Sequence, residues 1–413
     1  MFLSKKGSCI TLLLLVLCLL LSSGIVLGAR KVTLKLWVLP WVDNFGAGID
    51  ELLTEFKAEH KNIDVIVEEI PWNGCLEKYK AAVMGGTAPD IAASTPNRFP
   101  PLAELDLIEP LDKYMTSDFK NQFLNQDVLE MGKFNNHYYA LPALMEPRVL
   151  FYNKDLFEAA GIRETPKTWE EFFEVGKKIR QKTGKYGYAF PGMQRSFLRF
   201  TFWLNQAGGS VFNADGTKCV INDQYGVEAL SFLVKLMDEG IMPKGSVGMT
   251  EEEVEALFSS GETAMMINGP NFLPILDKIT GLNYGVADIF QGRTSITSGG
   301  PELYFMFNTS KNKPEAWELL KYLVSDTEFV SRRCEKFVYF PVIKGTSIEW
   351  KDTRMEYFEN AVETGVRDVA SHPKMDEVTP ILAGAIQGAL MGELTPQEAF
   401  DQAAEQINAR LSR

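Results

Sequence analysis

Histidine is the scarcest chemical group in this chain, with three in 413 residues, at positions 60, 137 and 372. They are scattered, with no HExxH pattern and no spacing that suggests a shared metal. Cysteine is almost as rare. Two of the five, Cys9 and Cys18, fall in the extreme N-terminal segment, which leaves Cys75, Cys219 and Cys334. An odd number with no CxxC pair excludes a disulfide framework and argues against a cysteine zinc site; at most one bridge is possible. No GxSxG elbow, phosphate-cradling Walker loop or dinucleotide-type GxGxxG occurs. Positive charge is in deficit, 42 Lys and Arg against 54 Asp and Glu, for a net charge of -12. Neutralising phosphates needs a basic excess on at least one face, so the charge balance argues against nucleic acid as a partner. The same deficit disfavours an anionic ligand, unless one local basic pocket overrides it. Composition leaves open an acid-base pair of carboxylates, because two acids can come from anywhere in a chain.

What is present describes a large globular protein. A length of 413 residues gives room for two or three domains, and 46% apolar with 23% charged residues is an ordinary balance for packed structure. There is no internal repeat and no low-complexity linker, so two domains would be joined by short crossings. Lys5 and Lys6 precede an apolar run from Ile10 to Leu21, followed by Ser22, Ser23 and Gly24, and by the small pair Gly28-Ala29. That order is the charged start, apolar stretch and cleavage site of an export signal over 1–29. An uncleaved anchor is the competing reading, since Ile10 to Leu27 is about the length that crosses a bilayer. Cys18 reads as apolar filler, because Leu17 stands where a small residue precedes a lipidated cysteine.

Beyond Arg30 the pattern alternates between β-rich and helical segments. Val32 to Val38 reads as a strand, and Ile49, Leu52, Leu53 and Phe56 recur at helical spacing. Ile63 to Ile70 alternates as a half-buried strand does, and the next helix runs to Met84, where Gly85-Gly86 stops it. This rhythm predicts an α/β fold with a sheet covered by helices. Later helices announce their starts: Thr168 with Glu171 and Thr250 with Glu253 have capping-box spacing, and Thr395-Pro396 with Glu398 adds a first-turn proline. Phe400, Ala403, Ile407 and Leu411 then form an apolar stripe on a final helix. Phe212-Asn213-Ala214-Asp215-Gly216 lacks the oxygen ligands and closing glutamate of a calcium loop, and reads as a tight turn.

Several runs carry a family resemblance: Gly85-Gly86-Thr87-Ala88-Pro89-Asp90-Ile91, Phe151-Tyr152-Asn153-Lys154-Asp155-Leu156-Phe157, Pro166 to Phe172, and Gly261 to Pro270, followed by Gly299-Gly300 and Asn312 to Leu320. In this order they resemble bacterial extracellular solute-binding proteins of the sugar-binding class, relatives of maltose-binding protein that serve ATP-driven importers. The resemblance implies a two-lobed periplasmic-binding-protein fold, α/β in class, with a ligand cleft between lobes joined by several chain crossings. It divides the chain into an N-lobe, 30–145 plus 301–341, and a C-lobe, 146–300 plus 342–413. It further implies an exported monomer at the outer face of the cytoplasmic membrane or in the periplasm, with a carbohydrate ligand and a membrane permease as partners. No reaction and no cofactor are implied. The alternatives are a binding protein for a sugar phosphate, glycerol phosphate or other charged small solute, and, from a different class, a glycoside-cleaving enzyme.

A sugar offers C–H faces to aromatic planes and hydroxyl edges to directed polar groups, and charged groups make the stronger bonds to those hydroxyls. On that chemistry and the family positions, Trp41 follows the first strand and Trp72 the third segment, each with packing as the competing role. Asn97 and Arg98 stand in the family's acidic-Arg-Phe segment, with Asn97 in place of the acid. Glu146 aligns with a ligand-contacting glutamate, or forms a hinge salt bridge with Arg148. Gln194 and Arg195 lie in a contact loop, and Trp203 follows on a helix whose spacing suits core equally. Asn271 occupies a position where relatives carry a stacking tryptophan, which puts a maltodextrin-type mode in doubt. Gly300 permits close backbone approach or serves the crossing, and Tyr339 lies at cleft or hinge.

Overall fold

The computed structural model describes residues 31–124, 126–193, 196–367 and 372–412. The expected export signal, and the site candidates Gln194 and Arg195, lie outside the described residues. Among the described residues no helix is long and apolar enough to cross a membrane.

The strands of four or more residues are β1 (Val32–Val38), β2 (Ile63–Glu69), β3 (Ile91–Ser94), β4 (Ala140–Met145), β5 (Val149–Asn153), β6 (Met265–Asn268), β7 (Tyr284–Ala287) and β8 (Pro301–Met306). β1 forms over the expected residues, with Val32, Leu34 and Leu36 buried and Thr33 and Lys35 exposed, as successive side chains on a strand point to opposite faces. β2 pairs parallel to β1, with Val32 opposite Ile63, and β3 pairs parallel on its other side, with Leu36 opposite Ile91. Parallel neighbours need crossovers. The helices Phe45–Leu52 and Thr54–Glu59 make the first and Cys75–Met84 the second. The single stripe of Ile49, Leu52, Leu53 and Phe56 is thus split between two short helices, yet all four side chains are buried. The helix before Gly85 ends as expected, and Gly86 takes the left-handed conformation at φ 66°.

β8 completes this first sheet by running antiparallel between β3 and β4, for an order β2-β1-β3-β8-β4. Strands β3, β4 and β8 are buried along their whole length. The core built on them draws from Val32 to Met145 and again from Leu303 to Ile343. Val342 and Ile343 pack in that core, so the last departure to the second lobe lies beyond Ile343 rather than at residue 342.

The second lobe is built on an antiparallel sheet in which β5 is flanked by β6 and β7. Its helices include Trp169–Thr183, Ser196–Ala207, Gln224–Asp238, Met375–Leu390 and Pro396–Leu411. Both halves of the capping box are made at Thr250 with Glu253 and at Thr395 with Glu398. At Thr168 only the hydroxyl half forms, because the Glu171 carboxylate accepts from the Lys167 N–H instead, at 2.7 Å. Phe212 bridges Cys219 across the Asn213–Lys218 turn, and Cys75, Cys219 and Cys334 are buried free thiols. The fold is therefore α/β and two-lobed.

Trp203 belongs to this interior and not to a ligand surface. It is 0% exposed and packs against Trp169, Phe172, Tyr188, Phe202, Phe232 and Phe290, with ring centroids 5.1–5.8 Å away. Helical spacing had left core and cleft open for it; packing decides for core. Trp203→Ala should cost about 3–5 kcal/mol of stability, measured by urea denaturation. Trp203→Phe, which keeps a ring in the cluster, should cost markedly less.

Candidate functional site

Open α/β sheets bind ligands beyond the carboxyl ends of their strands, where connecting loops leave the layer. Here Trp41 lies three residues past the end of β1, Trp72 three past β2, and Asn97 and Arg98 just past β3. The antiparallel register carries the remaining candidates to the same edge. Leu303 lies opposite Ser94 and Pro301 opposite Met145, so the start of β8 and the end of β4 meet where β3 finishes. Gly300 and Glu146 are the next residues on those two strands. Across the crossing, Asn268 pairs with Val149, which sets Gly269 and Asn271 beside the start of β5. Loops, return strand and second-lobe sheet thus converge on one junction.

At its centre is a cluster of rings. Half-buried Trp41 meets Trp72 edge-on at 5.0 Å between centroids and Tyr339 at 6.0 Å. The Trp41 indole Nε1 donates to Glu302 Oε1 at 3.0 Å, and the Trp72 Nε1 to the Pro40 carbonyl at 3.0 Å. The Arg98 guanidinium lies 5.1 Å above the Trp72 ring. Its Nη1 donates to the Trp72 carbonyl at 2.8 Å and to Cys75 Sγ at 2.9 Å. Burial raises the Cys75 thiol pKa, against the opposing pull of Arg98. Asn97 accepts from Thr95 Oγ1 at 2.7 Å, which braces the same loop.

Tyr339 is buried, and its hydroxyl reaches the Trp41 carbonyl at 3.5 Å. Burial, reinforced by the negative Glu146, pushes its phenol well above the ordinary range, so it remains a donor. Glu146 is buried and faces Arg148 at 3.7 Å, and its backbone N–H points to the Gly300 carbonyl at 3.4 Å. Gly269 lies against the Glu146 side chain: a Cβ there would stand 2.4 Å from Oε1. At Gly299 a Cβ would stand 2.2 Å from the Glu146 carbonyl oxygen. Neither Gly299 nor Gly300 is among the positive-φ glycines of the described residues. Close approach, rather than unusual dihedrals, is what requires Gly299 here. Arg148 extends the network by donating to Asn268 Oδ1 at 3.0 Å, and Asn268 donates to Glu255 Oε1 at 2.7 Å. Half-buried Asn271 follows on the turn Pro270–Phe272. The junction therefore unites Trp41, Trp72, Asn97, Arg98, Glu146, Gly300 and Tyr339, with Asn271 at its margin and Trp203 elsewhere.

Beside this junction a cavity of about 420 Å³ opens between the lobes. Pro96, Glu130 and Met145 line it from the first lobe, and Thr201, Asn205 and Arg367 from the second. Sequence reading missed these groups. Asn205 sits within the apolar helix that carries Trp203, and its amide donates to the Arg367 carbonyl at 3.0 Å, 162 residues away. No local pattern signals such a pair. A larger hollow, about 870 Å³, is walled by the second lobe alone, between residues 152–167 and 286–295. Its cations Lys154, Arg163 and Lys167 alternate with Glu158, Glu164 and Asp288, so it presents no net charge to a ligand.

Residues 40–328 match the family model described as bacterial extracellular solute-binding protein. A galactooligosaccharide-binding protein of Bacillus subtilis is 25% identical over 88% of this chain and 86% of its own length. An sn-glycerol-3-phosphate-binding periplasmic protein of Rhizobium meliloti is 27% identical over 71% of this chain and 72% of its own. The structure of the sugar-binding protein MalE from Xanthomonas citri superposes with a TM-score of 0.81 over 92% of this chain and 98% of that one, at 22% identity. At that identity the superposition shows a shared fold.

The network makes one prediction about pH. Burial raises the Glu255 pKa in the folded state, despite the Asn268 hydrogen bond and the nearby Arg199 and Arg148. A carboxyl raised in this way contributes stability that is complete below its unfolded pKa and is lost as pH rises through its folded pKa. Glu255→Gln keeps an acceptor for Asn268 but does not titrate. In urea denaturation the variant should gain on the wild type between about pH 4 and about pH 7. A stability difference that stays constant over that range would contradict the burial of this charge.

Proposed function

Because this chain belongs to the bacterial extracellular solute-binding protein family, we propose that it is an exported receptor that captures a neutral sugar between its lobes and delivers it to the permease of an ATP-driven importer. The observation that carries this reading is the ring cluster of Trp41, Trp72 and Tyr339 at the carboxyl edge of the first sheet. Aromatic planes suit the C–H faces of a pyranose, and the polar groups around them suit its hydroxyls. The adjoining cavity, about 420 Å³, falls within the size range of small-molecule sites. The similarity to the galactooligosaccharide-binding protein supports the same class of ligand.

Charge favours a neutral solute. Arg98 is engaged by the Trp72 carbonyl and Cys75, and Arg148 by Asn268 and Glu146. Arg367 shares its cavity with Asp127 and Glu130. The similarity to the glycerol phosphate-binding protein nevertheless supports a phosphorylated solute as the second reading. For catalysis the arrangement is poor. Glu302, bonded to Trp41, and Glu146, beside Tyr339, are each paired with an arginine, which suits charge balance and hydrogen bonding rather than proton transfer.

A thermal-shift panel of maltotriose, galactotriose and sn-glycerol 3-phosphate tests the reading, because a solute that binds only the native state raises the melting temperature. A rise with a neutral oligosaccharide is expected, with no hydrolysis products on chromatography of the mixture. A rise with glycerol phosphate alone would overturn the neutral-sugar reading, and released products would overturn the receptor reading. Arg98→Ala and Glu146→Gln should each weaken sugar binding by about 1–3 kcal/mol in calorimetry.

A further inference from the structure

The first lobe contains an ion pair with no contact to water. Glu302, second residue of β8, and Arg333, on the helix Thr327–Phe337, are both 0% exposed and pair directly. Arg333 is held between the rings of Phe45 and Tyr304, at 5.7 and 5.3 Å, and donates to the Tyr304 hydroxyl at 3.2 Å. Burial alone pushes its pKa down to about 10. Removing two charges from water is expensive, and apolar residues of similar volume commonly stabilise such a site as well or better. Stability therefore gives no sufficient reason for the pair.

The other partner of Glu302 supplies one. Its Oε1 accepts the Trp41 indole N–H at 3.0 Å. The ladder between β8 and β4 shifts register between Glu302 and Leu303, a bulge of the kind that re-aims a side chain next to a site. The Trp41 backbone is fixed as well, by its own N–H to the Leu39 carbonyl at 3.0 Å and by Tyr339. A tryptophan in a loop has two side-chain torsions to settle. A hydrogen bond within an arginine–carboxylate pair is charge-assisted and stronger than a neutral one, and the Arg333 pair holds that carboxylate in place.

We propose that Glu302, clamped by Arg333, is a positioning residue that fixes the plane of the Trp41 ring in the ligand cleft. This rests on the reading that Trp41 lines the cleft. The carboxylate holds the indole from behind, so the ring face is presented in one orientation before a sugar arrives, and less ordering remains to be done on binding. Trp72 and Tyr339 pack near-perpendicular to the Trp41 ring, at 5.0 and 6.0 Å, so a change in its plane would disturb the whole cluster.

The test uses the full chain labelled with nitrogen-15 at its indoles, with the Trp41 signal assigned through Trp41→Phe. In the wild type the Trp41 indole proton should exchange slowly with solvent. In Glu302→Gln it should exchange about 10-fold faster. The Trp72 indole proton, bonded to the Pro40 carbonyl, should not change. Maltotriose affinity should fall about 10-fold in Glu302→Gln but not further when Glu302→Gln is added to Trp41→Phe, where no indole N–H remains to be held. Equal losses in both backgrounds, or unchanged Trp41 exchange in Glu302→Gln, would overturn the proposal. If Glu302→Gln does not fold, the wild type decides: a Trp41 proton exchanging as fast as free tryptophan overturns it. If maltotriose does not bind the wild type, galactotriose replaces it in the affinity arm; failure of both counts against the sugar reading, and the exchange measurement then decides the positioning claim by itself.

Discussion

Strand β8 runs antiparallel between β3 and β4, and that insertion organises the molecule. A strand that returns from the second lobe begins at the edge where the parallel strands end. Its first residues therefore arrive beside the loops that carry Trp41, Trp72 and Arg98. The same register sets Met145 opposite Pro301, so the outgoing and returning crossings lie side by side. Phe340 joins them through a bridge to Met145, which brings Tyr339 to the rings. Had β8 been added parallel, Glu302 would start at the far edge and the junction would not form.

Much of this was legible in the sequence wherever the cause is local. The strand Val32 to Val38, the caps at Thr250 and Thr395 and the stop at Gly85-Gly86 are each decided within a few residues, and each is present. Three of the site loops were found because strand ends are readable and the family motifs mark them. Trp203 escaped correct reading because helical spacing tells that a face is apolar, not which surface it meets. Asn205, Arg367 and the Glu302–Arg333 pair were missed for a different reason. Their partners lie far away in sequence, Glu302 being 261 residues from Trp41, and only the folded topology brings them together. At Gly299 the family run gave no hint of the reason for glycine, which is that its lack of a side chain admits the Glu146 carbonyl.

Charge is handled differently on the two sides of the crossing. In the first lobe Arg333 and Glu302 pair with each other out of water, and one further hydrogen bond from each side goes to Tyr304 and Trp41. At the crossing and beyond, Glu146, Arg148, Asn268 and Glu255 form a chain in which each polar group partly satisfies the next. Gly269 lies against the Glu146 end of that chain and Asn271 follows it on the surface turn. A solute lodged against the rings would thus touch residues fixed in one lobe and residues wired into the other.

Such a solute favours whichever arrangement lets both lobes touch it, and a solute with equal affinity for open and closed arrangements would shift nothing. The two lobes have separate buried cores, and the proposed capture has them rotate as bodies about short crossings near 145–149, 298–301 and beyond Ile343. Small-angle scattering with and without the oligosaccharide that raises the melting temperature measures this directly. The account predicts a smaller radius of gyration at saturating sugar; a radius that does not move under saturation would contradict capture by lobe closure.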